Sequence, residues 1–371
     1  MKITDIKMHI LSVPLTKPQN LSFAKMQSRN TLIIEVITNK NIIGIGESWI
    51  NFPPWGGVER KATLEQGLFP LLVGENPLEI NHIHQNLLNK LTGVGRQWGA
   101  LGIIYQAISA IDIALWDILG KETNSPVYKI LGGGSAKPVP IYASGIETSM
   151  GEEAILRWLK RGVKAFKVKV GIKDIVEEIN YLQKIREIIP NDSKLMIDAN
   201  QGWDFKKALD FLKKAKDLNL FWVEEPLPCH EYNEMHLIQK KTGIPVAAGE
   251  NLYGHKEFRE LLEKDAATVI QPDLTKAGGI TSAKEIITLA RAWNKSFAPH
   301  VYGSAIGLTA ALHLTSAIPG GIILEVDSTE NPLQKDLLEE TFEIKDGCII
   351  PSVNAGLGIN INYDFIEKYS V

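Results

Sequence analysis

From residue 139 onward, short β-branched runs alternate with stretches of helical length and pattern, and no other feature constrains the fold as strongly. The runs lie at 139–143, 165–170, 195–197, 221–223, 245–248, 268–270, 296–298 and 322–324. Between them, segments such as 152–161, 174–189 and 280–293 carry amphipathic helical periodicity. A strand, a helix and a second strand make a parallel βαβ unit, and eight such units can close into a (β/α)8 barrel. A doubly wound open sheet is the competing architecture, but it has fewer units and a Gly-rich first turn, which this chain lacks.

The preceding part reads as α+β. Residues 2–11 and 31–49 hold β-rich runs, with Asn39-Lys40-Asn41 as a hairpin turn. Residues 12–30 between them are polar and turn-rich, and are expected to form a mobile loop. Helices are expected near 57–69, 77–91 and 100–120. In the last, Ile104, Ala107, Ile108, Ile111, Ala114 and Leu115 share one apolar face. Leu131-Gly132-Gly133-Gly134 reads as a linker, because a phosphate-cradling loop follows a strand and opens a helix, whereas these glycines precede a strand. The tail has hairpin character at 343–351 around Asp346-Gly347 and is expected to pack back on the first domain. The expected organisation is an N-terminal α+β capping domain over 1–130, a modified barrel over 131–328, and a segment over 329–371 that completes the capping domain.

Bulk properties exclude several classes of function. A chain of 371 residues is too long for one ordinary core. Its 44% hydrophobic and 22% charged residues are ordinary for a soluble protein. A net charge of −3 gives no general reason to expect nucleic acid or an anionic membrane as partner. The start, Met1-Lys2-Ile3-Thr4-Asp5, lacks the apolar core of a signal peptide. No stretch is expected to reach the roughly 20 apolar residues that span a bilayer. Cys229 and Cys348 are the only cysteines, which suits a reducing compartment. A cytoplasmic protein is the expectation.

Ionisable residues recur where the barrel strands end: Lys169, Asp198, Glu224, Glu250, Asp273, His300 and Glu325. Their spacings of 29, 26, 26, 23, 27 and 25 residues are each about one βα unit. In a barrel this places all of them around the C-terminal mouth, where such folds carry their active sites. One charge at a strand end is an ordinary solvated loop residue; a charge after each of several consecutive strands is not. Asp198, Glu224 and Glu250 converge from adjacent strands and repel one another unless a cation neutralises them. An all-oxygen site with open positions suits Mg²⁺, and Mn²⁺ also fits.

Lys167 and Lys169 are two apart on one strand and share a face, so both ammonium groups point inward while Val168 and Val170 pack outward. Repulsion between them is expected to depress one pKa toward neutrality, as a lysine base requires. Asp273 and His300 follow neighbouring strands. An aspartate on one imidazole nitrogen fixes the tautomer and is expected to leave the other nitrogen free for a proton.

At these residues the chain resembles the enolase superfamily, specifically its mandelate racemase subgroup, over essentially its whole length. The resemblance rests on Lys167 and Lys169, Asp198-Ala199-Asn200, Glu224-Glu225-Pro226, Gly249-Glu250-Asn251, Asp273 followed by Lys276-Ala277-Gly278-Gly279, then His300 and Glu325. Muconate-lactonising relatives share the lysine pair, but carry a lysine where Asp273 stands and lack the histidine. The resemblance implies one Mg²⁺ per subunit on Asp198, Glu224 and Glu250. It makes Lys169 the base on one face and His300–Asp273 the pair on the other. Glu325 then donates to the substrate carboxylate, Lys167 binds it, and Asn200 holds an adjacent hydroxyl. The segment from His300 to Ala305 departs from mandelate racemase, which argues against strict mandelate specificity.

The implied reaction is removal of the proton α to a carboxylate through an enediolate. Loss of a β-hydroxyl then gives dehydration of an acid sugar, an aldonate or aldarate, to a 2-keto-3-deoxy acid. Reprotonation on the opposite face gives racemisation or epimerisation of a 2-hydroxy acid. A non-catalytic barrel that only binds an anion is the distant alternative. Lys17, Lys25 and Arg29 in the 12–30 loop, with Trp55 and Arg96, are candidates to reach distal substrate groups. Similar proteins form closed assemblies, so a homo-oligomer is expected.

Overall fold

A computed structural model describes residues 1–20, 25–147 and 152–371. The N-terminal sheet has three antiparallel strands in the order β1 (Ile3–Asn20), β2 (Lys25–Thr38), β3 (Ile43–Trp49). The helix Leu101–Glu122 lies across it, so close that a Cβ on Gly46 would come within 1.8 Å of the Ala110 carbonyl oxygen. Only glycine permits that approach.

Two expectations fail in this part. Residues 12–20 and 25–30 are not a loop: they extend β1 and β2 into a long hairpin, pairing Ser12 with Asn30 and Val13 with Arg29. Positions 21–24 of that stretch lie outside the described residues. The polar composition misleads because the hairpin docks on the barrel through ionic contacts, with Arg29 and Gln19 buried. The second failure concerns Leu101–Glu122, which is long and apolar enough to cross a membrane. However, 83% of its apolar window is buried inside the protein, as befits a core helix.

The barrel strands are β4 (Val139–Ile146), β5 (Ala165–Lys169), β6 (Lys194–Asp198), β7 (Leu220–Glu224), β8 (Val246–Ala248), β9 (Val269–Ile270), β10 (Ser296–Phe297) and β11 (Leu324–Asp327). They are parallel and ordered β10-β9-β8-β7-β6-β5-β4-β11. A parallel bridge between Phe297 and Gly321, just before β11, closes the circle. All eight expected strands are present. The last starts two residues late, so Glu325 sits within β11 rather than after it. One side chain from each strand or its flank plugs the interior: Tyr142, Ala165, Met196, Trp222, Ala247, Val269, Ala298 and Ile323. The layer mixes large and small residues, and Tyr142 meets Trp222 edge-on at 5.6 Å. This apolar floor leaves the polar residues one layer above it.

The tail divides. Its hairpin turn at Asp346-Gly347 takes positive φ at both residues, and β12 (Cys348–Ile349) pairs antiparallel with β4. That half packs on the barrel, contrary to expectation, because β4 leaves Val139 and Pro140 unpaired on that side until β12 joins. The final helix Tyr363–Tyr369 does reach the first sheet, where the Val371 amide donates to the Ile10 carbonyl.

Candidate active site

Alternation along β5 sends Lys167 and Lys169 inward and buries Val168 and Val170 on the outer face, as expected. Strand register then brings Lys169 beside Asp198 and Asp198 beside Glu224. Just past β6 and β7, Asn200, Gln201 and Glu225 adopt positive φ, so the chain turns away sharply at the mouth. Non-glycine residues in that region are costly and cluster at functional sites.

The charges pair across the mouth. Lys167 binds Glu224 and stands 2.8 Å from Glu325 and 3.6 Å from Asp198. Lys169 lies 2.5 Å from Asp198 and 2.8 Å from the Asn200 amide oxygen. His300 Nδ1 meets Asp273 at 2.7 Å, and Asp273's second oxygen accepts from the Thr275 amide and hydroxyl. The expected dyad is present. Its other nitrogen is not free: Nε2 lies 3.1 Å from Glu250. Glu325 accepts from Lys167, the Ser144 hydroxyl and the Val301 amide.

The electrostatics correct one expectation. Burial is the largest influence on Lys169 and lowers its pKa, but Asp198, Glu250 and Tyr302 together oppose it and the net shift is upward. For Lys167 burial is again opposed, by Glu224 and Glu325, and the net shift is strongly upward. Mutual repulsion does not win because each lysine has an acid closer than the other lysine's influence can offset. Burial raises Asp198, yet Lys169 and Lys167 hold it at about 2. Burial likewise acts against the Glu325 carboxylate, which Lys167 and His300 bring down to about 2. Burial lowers His300, while Glu250, Glu325 and Asp273 lift it to about 9.

Among the described residues, no group of three or more His, Cys, Asp or Glu side chains is gathered as a ready-made metal cage. Asp198, Glu224 and Glu250 each turn toward a cationic side chain instead. The donor set nevertheless fits a hard divalent cation. Burial, with Asp198, Glu325 and Glu250 nearby, pushes Glu224 up to about 7 even though Lys167 opposes it. Glu225 Oε1 is buried without a hydrogen-bond partner. The mouth therefore holds more carboxylate than its lysines neutralise, in an all-oxygen environment that suits Mg²⁺.

Arg29 does not reach for a ligand as a loop cation. It is fully buried, 2.5 Å from Asp327, with Gln19 and Thr329 as further acceptors and the Tyr302 ring beneath it. Lys17, Lys25 and Arg96 are exposed, and Trp55 is 61% exposed. Sequence reasoning gave no role to three groups that share the mouth's surroundings. Tyr302 lies 5.8 Å below the Lys169 ammonium, Gln271 donates to Glu224, and Lys276 reaches Asn251 beside Glu250. Gln271 was readable, since alternation puts it on the same face as Asp273.

Opposed charges buried at the mouth of a barrel are an arrangement that acid–base enzymes use. Comparison with known proteins narrows this. Residues 5–132 match the mandelate racemase/muconate lactonizing enzyme N-terminal domain, and residues 149–365 match the enolase C-terminal domain-like family. The chain belongs to the mandelate racemase/muconate lactonizing enzyme group of the enolase superfamily. It is 30% identical to the D-galactarolactone cycloisomerase of Agrobacterium fabrum, covering 100% of this chain and 99% of that one. It is 31% identical to the arabinonate dehydratase of Saccharolobus solfataricus, covering 90% and 89%. The N-succinyl-L-Arg/Lys racemase of Bacillus cereus is 30% identical, covering 100% and 98%. Among solved structures, a variant L-talarate/galactarate dehydratase liganded with Mg and L-glucarate superposes with a TM-score of 0.89 at 27% identity, covering 100% and 92%.

Proposed function

We propose that this protein removes the proton α to a carboxylate, and that it dehydrates an acid sugar, an aldonate or aldarate, to a 2-keto-3-deoxy acid. One observation carries the reading: two proton carriers, Lys169 on β5 and His300 after β10, stand three strands apart one way round the barrel and five the other. A substrate between them presents one face to each. The acid-sugar dehydratases among the relatives favour this substrate class.

In this reading Lys167 binds the substrate carboxylate and Asn200 a neighbouring hydroxyl. Lys169 in its neutral form takes the α-proton. A magnesium ion would be held by Asp198, Glu224 and Glu250, and would supply positive charge to the substrate carboxylate. Glu325, accepting from three donors in this structure, takes up a proton from solvent once Lys167 turns to the substrate, and then donates to the carboxylate oxygen. The His300 imidazolium, favoured at neutral pH by its raised pKa, protonates the departing β-hydroxyl. Water leaves, and the enol relaxes to the 2-keto acid.

A racemase or epimerase of a 2-hydroxy acid is the second reading, since proton transfer to the opposite face needs the same two carriers. A screen of mono- and diacid sugars with Mg²⁺, read for 2-keto acid, separates the two. Keto acid from at least one substrate is the expected result. Exchange with inversion and no elimination selects the racemase, and neither product nor exchange overturns both.

A further inference from the structure

Glu47 belongs to the N-terminal sheet, yet its carboxylate ends at the barrel. It is fully buried at the start of the helix Ala305–Ala317, which follows the His300 loop directly. Oε1 accepts from the Ser304 amide at 2.8 Å and the Thr31 hydroxyl at 2.7 Å. Oε2 accepts from the Gly307 amide at 2.8 Å and the Ser304 hydroxyl at 2.7 Å. The carboxylate thus satisfies helix N-terminal amides that have no partner within the helix. The glycines record the closeness: a Cβ on Gly303 would come within 2.5 Å of Glu47 Oε1, and one on Gly307 within 2.9 Å of Oε2.

Residues next to Glu47 hold the rest of the dyad's support. The Trp49 amide donates to the Thr275 carbonyl, in the turn that carries Asp273. The Asn51 side chain donates to the Tyr302 carbonyl at 3.0 Å, two residues past His300. One strand end from the first sheet therefore braces both turns from which Asp273 and His300 project.

We propose that Glu47 is a positioning residue for the His300–Asp273 pair, which makes the acid–base site dependent on a carboxylate from outside the barrel. Its part in catalysis rests on the function proposed above; its part in geometry does not. Glutamine cannot replace it. Each carboxylate oxygen faces one backbone N–H, so either orientation of the amide sets its NH₂ against a donor that cannot turn away.

The test compares Glu47→Gln with Thr31→Val, which removes one hydroxyl donor and leaves both backbone bonds. In the full-length protein, the Nδ1 proton shared by His300 and Asp273 is expected to give a far-downfield proton resonance, assigned by its loss in His300→Asn. That resonance is expected to vanish or move in Glu47→Gln and to persist in Thr31→Val. Its persistence unchanged in folded Glu47→Gln overturns the proposal. Should Glu47→Gln not fold, Glu47→Asp, which keeps the charge but withdraws it from the Ser304 and Gly307 amides, is read the same way, with a shifted resonance expected and an unmoved one overturning. In activity, kcat of the His300-dependent proton exchange should fall roughly 10²-fold with little change in KM, while Lys169-dependent exchange persists. If wild type exchanges no α-proton, the proposed function fails, and the resonance still decides the positioning.

Discussion

Replacing Lys167 by methionine removes a cation shared by three carboxylates. Lys167 is bound to Glu224, 2.8 Å from Glu325 and 3.6 Å from Asp198, and all four side chains are at most 1% exposed. Removing one partner of a buried pair typically costs about 3–5 kcal/mol, because a desolvated charge is left behind. The cost should depend on pH. Glu224 already titrates near 7 in the folded protein, above its ordinary value of 4.5. A folded pKa raised in this way means stability falls as pH rises from the unfolded value through the folded one. Without Lys167 the folded pKa rises further, extending that window above 7 at about 1.4 kcal/mol per pH unit per proton. Urea unfolding of the metal-free protein followed by circular dichroism, at about pH 6.5 and about pH 8.5, should show a larger loss at the higher pH. Added Mg²⁺ should stabilise the variant more than wild type, since it restores positive charge among the same acids. A loss under about 1 kcal/mol, equal at both pH values, would refute the reasoning.

Two further perturbations follow from the same geometry. Arg29→Met strands Asp327 in a fully buried pair and should cost about 3–5 kcal/mol in urea unfolding, most of it regained in Arg29→Met with Asp327→Leu; a neutral single variant would contradict this. The His300 pKa stands at about 9 against an unperturbed 6.5, so its contribution of about 3 kcal/mol is complete below pH 6.5 and lost as pH rises through 9. His300→Asn should flatten the unfolding profile of the metal-free protein across that window, and a profile of unchanged slope would count against the assignment.

The barrel was legible in the sequence because β-branched runs and helical faces repeat with one period, and the ionisable ring follows from that period alone. What periodicity cannot carry is contact between distant segments. Ser12 through Asn30 looks like a loop because its strands are stabilised from outside, by Arg29 on Asp327 almost three hundred residues away. The lysine pair was placed correctly, but its titration was misjudged, since repulsion was weighed without Asp198 and Glu224 in hydrogen-bond range. His300 and Asp273 were readable as neighbours. The approach of Glu250 to the other imidazole nitrogen was not, because it depends on how the turn after Gly249 leaves the strand. Glu47 gave no signal beyond an acid in a β-rich run, and its role appears only when the two folding units meet.

The most direct test of two-sided proton transfer is α-proton exchange in D₂O, followed by NMR, on stereoisomeric acid sugars with Mg²⁺. Wild type is compared with Lys169→Ala and His300→Asn. The expected result is a division: Lys169→Ala loses exchange on one configuration at the α-carbon and His300→Asn on the other. Full exchange by either variant on every substrate would contradict the assignment of Lys169 and His300 as the two proton carriers.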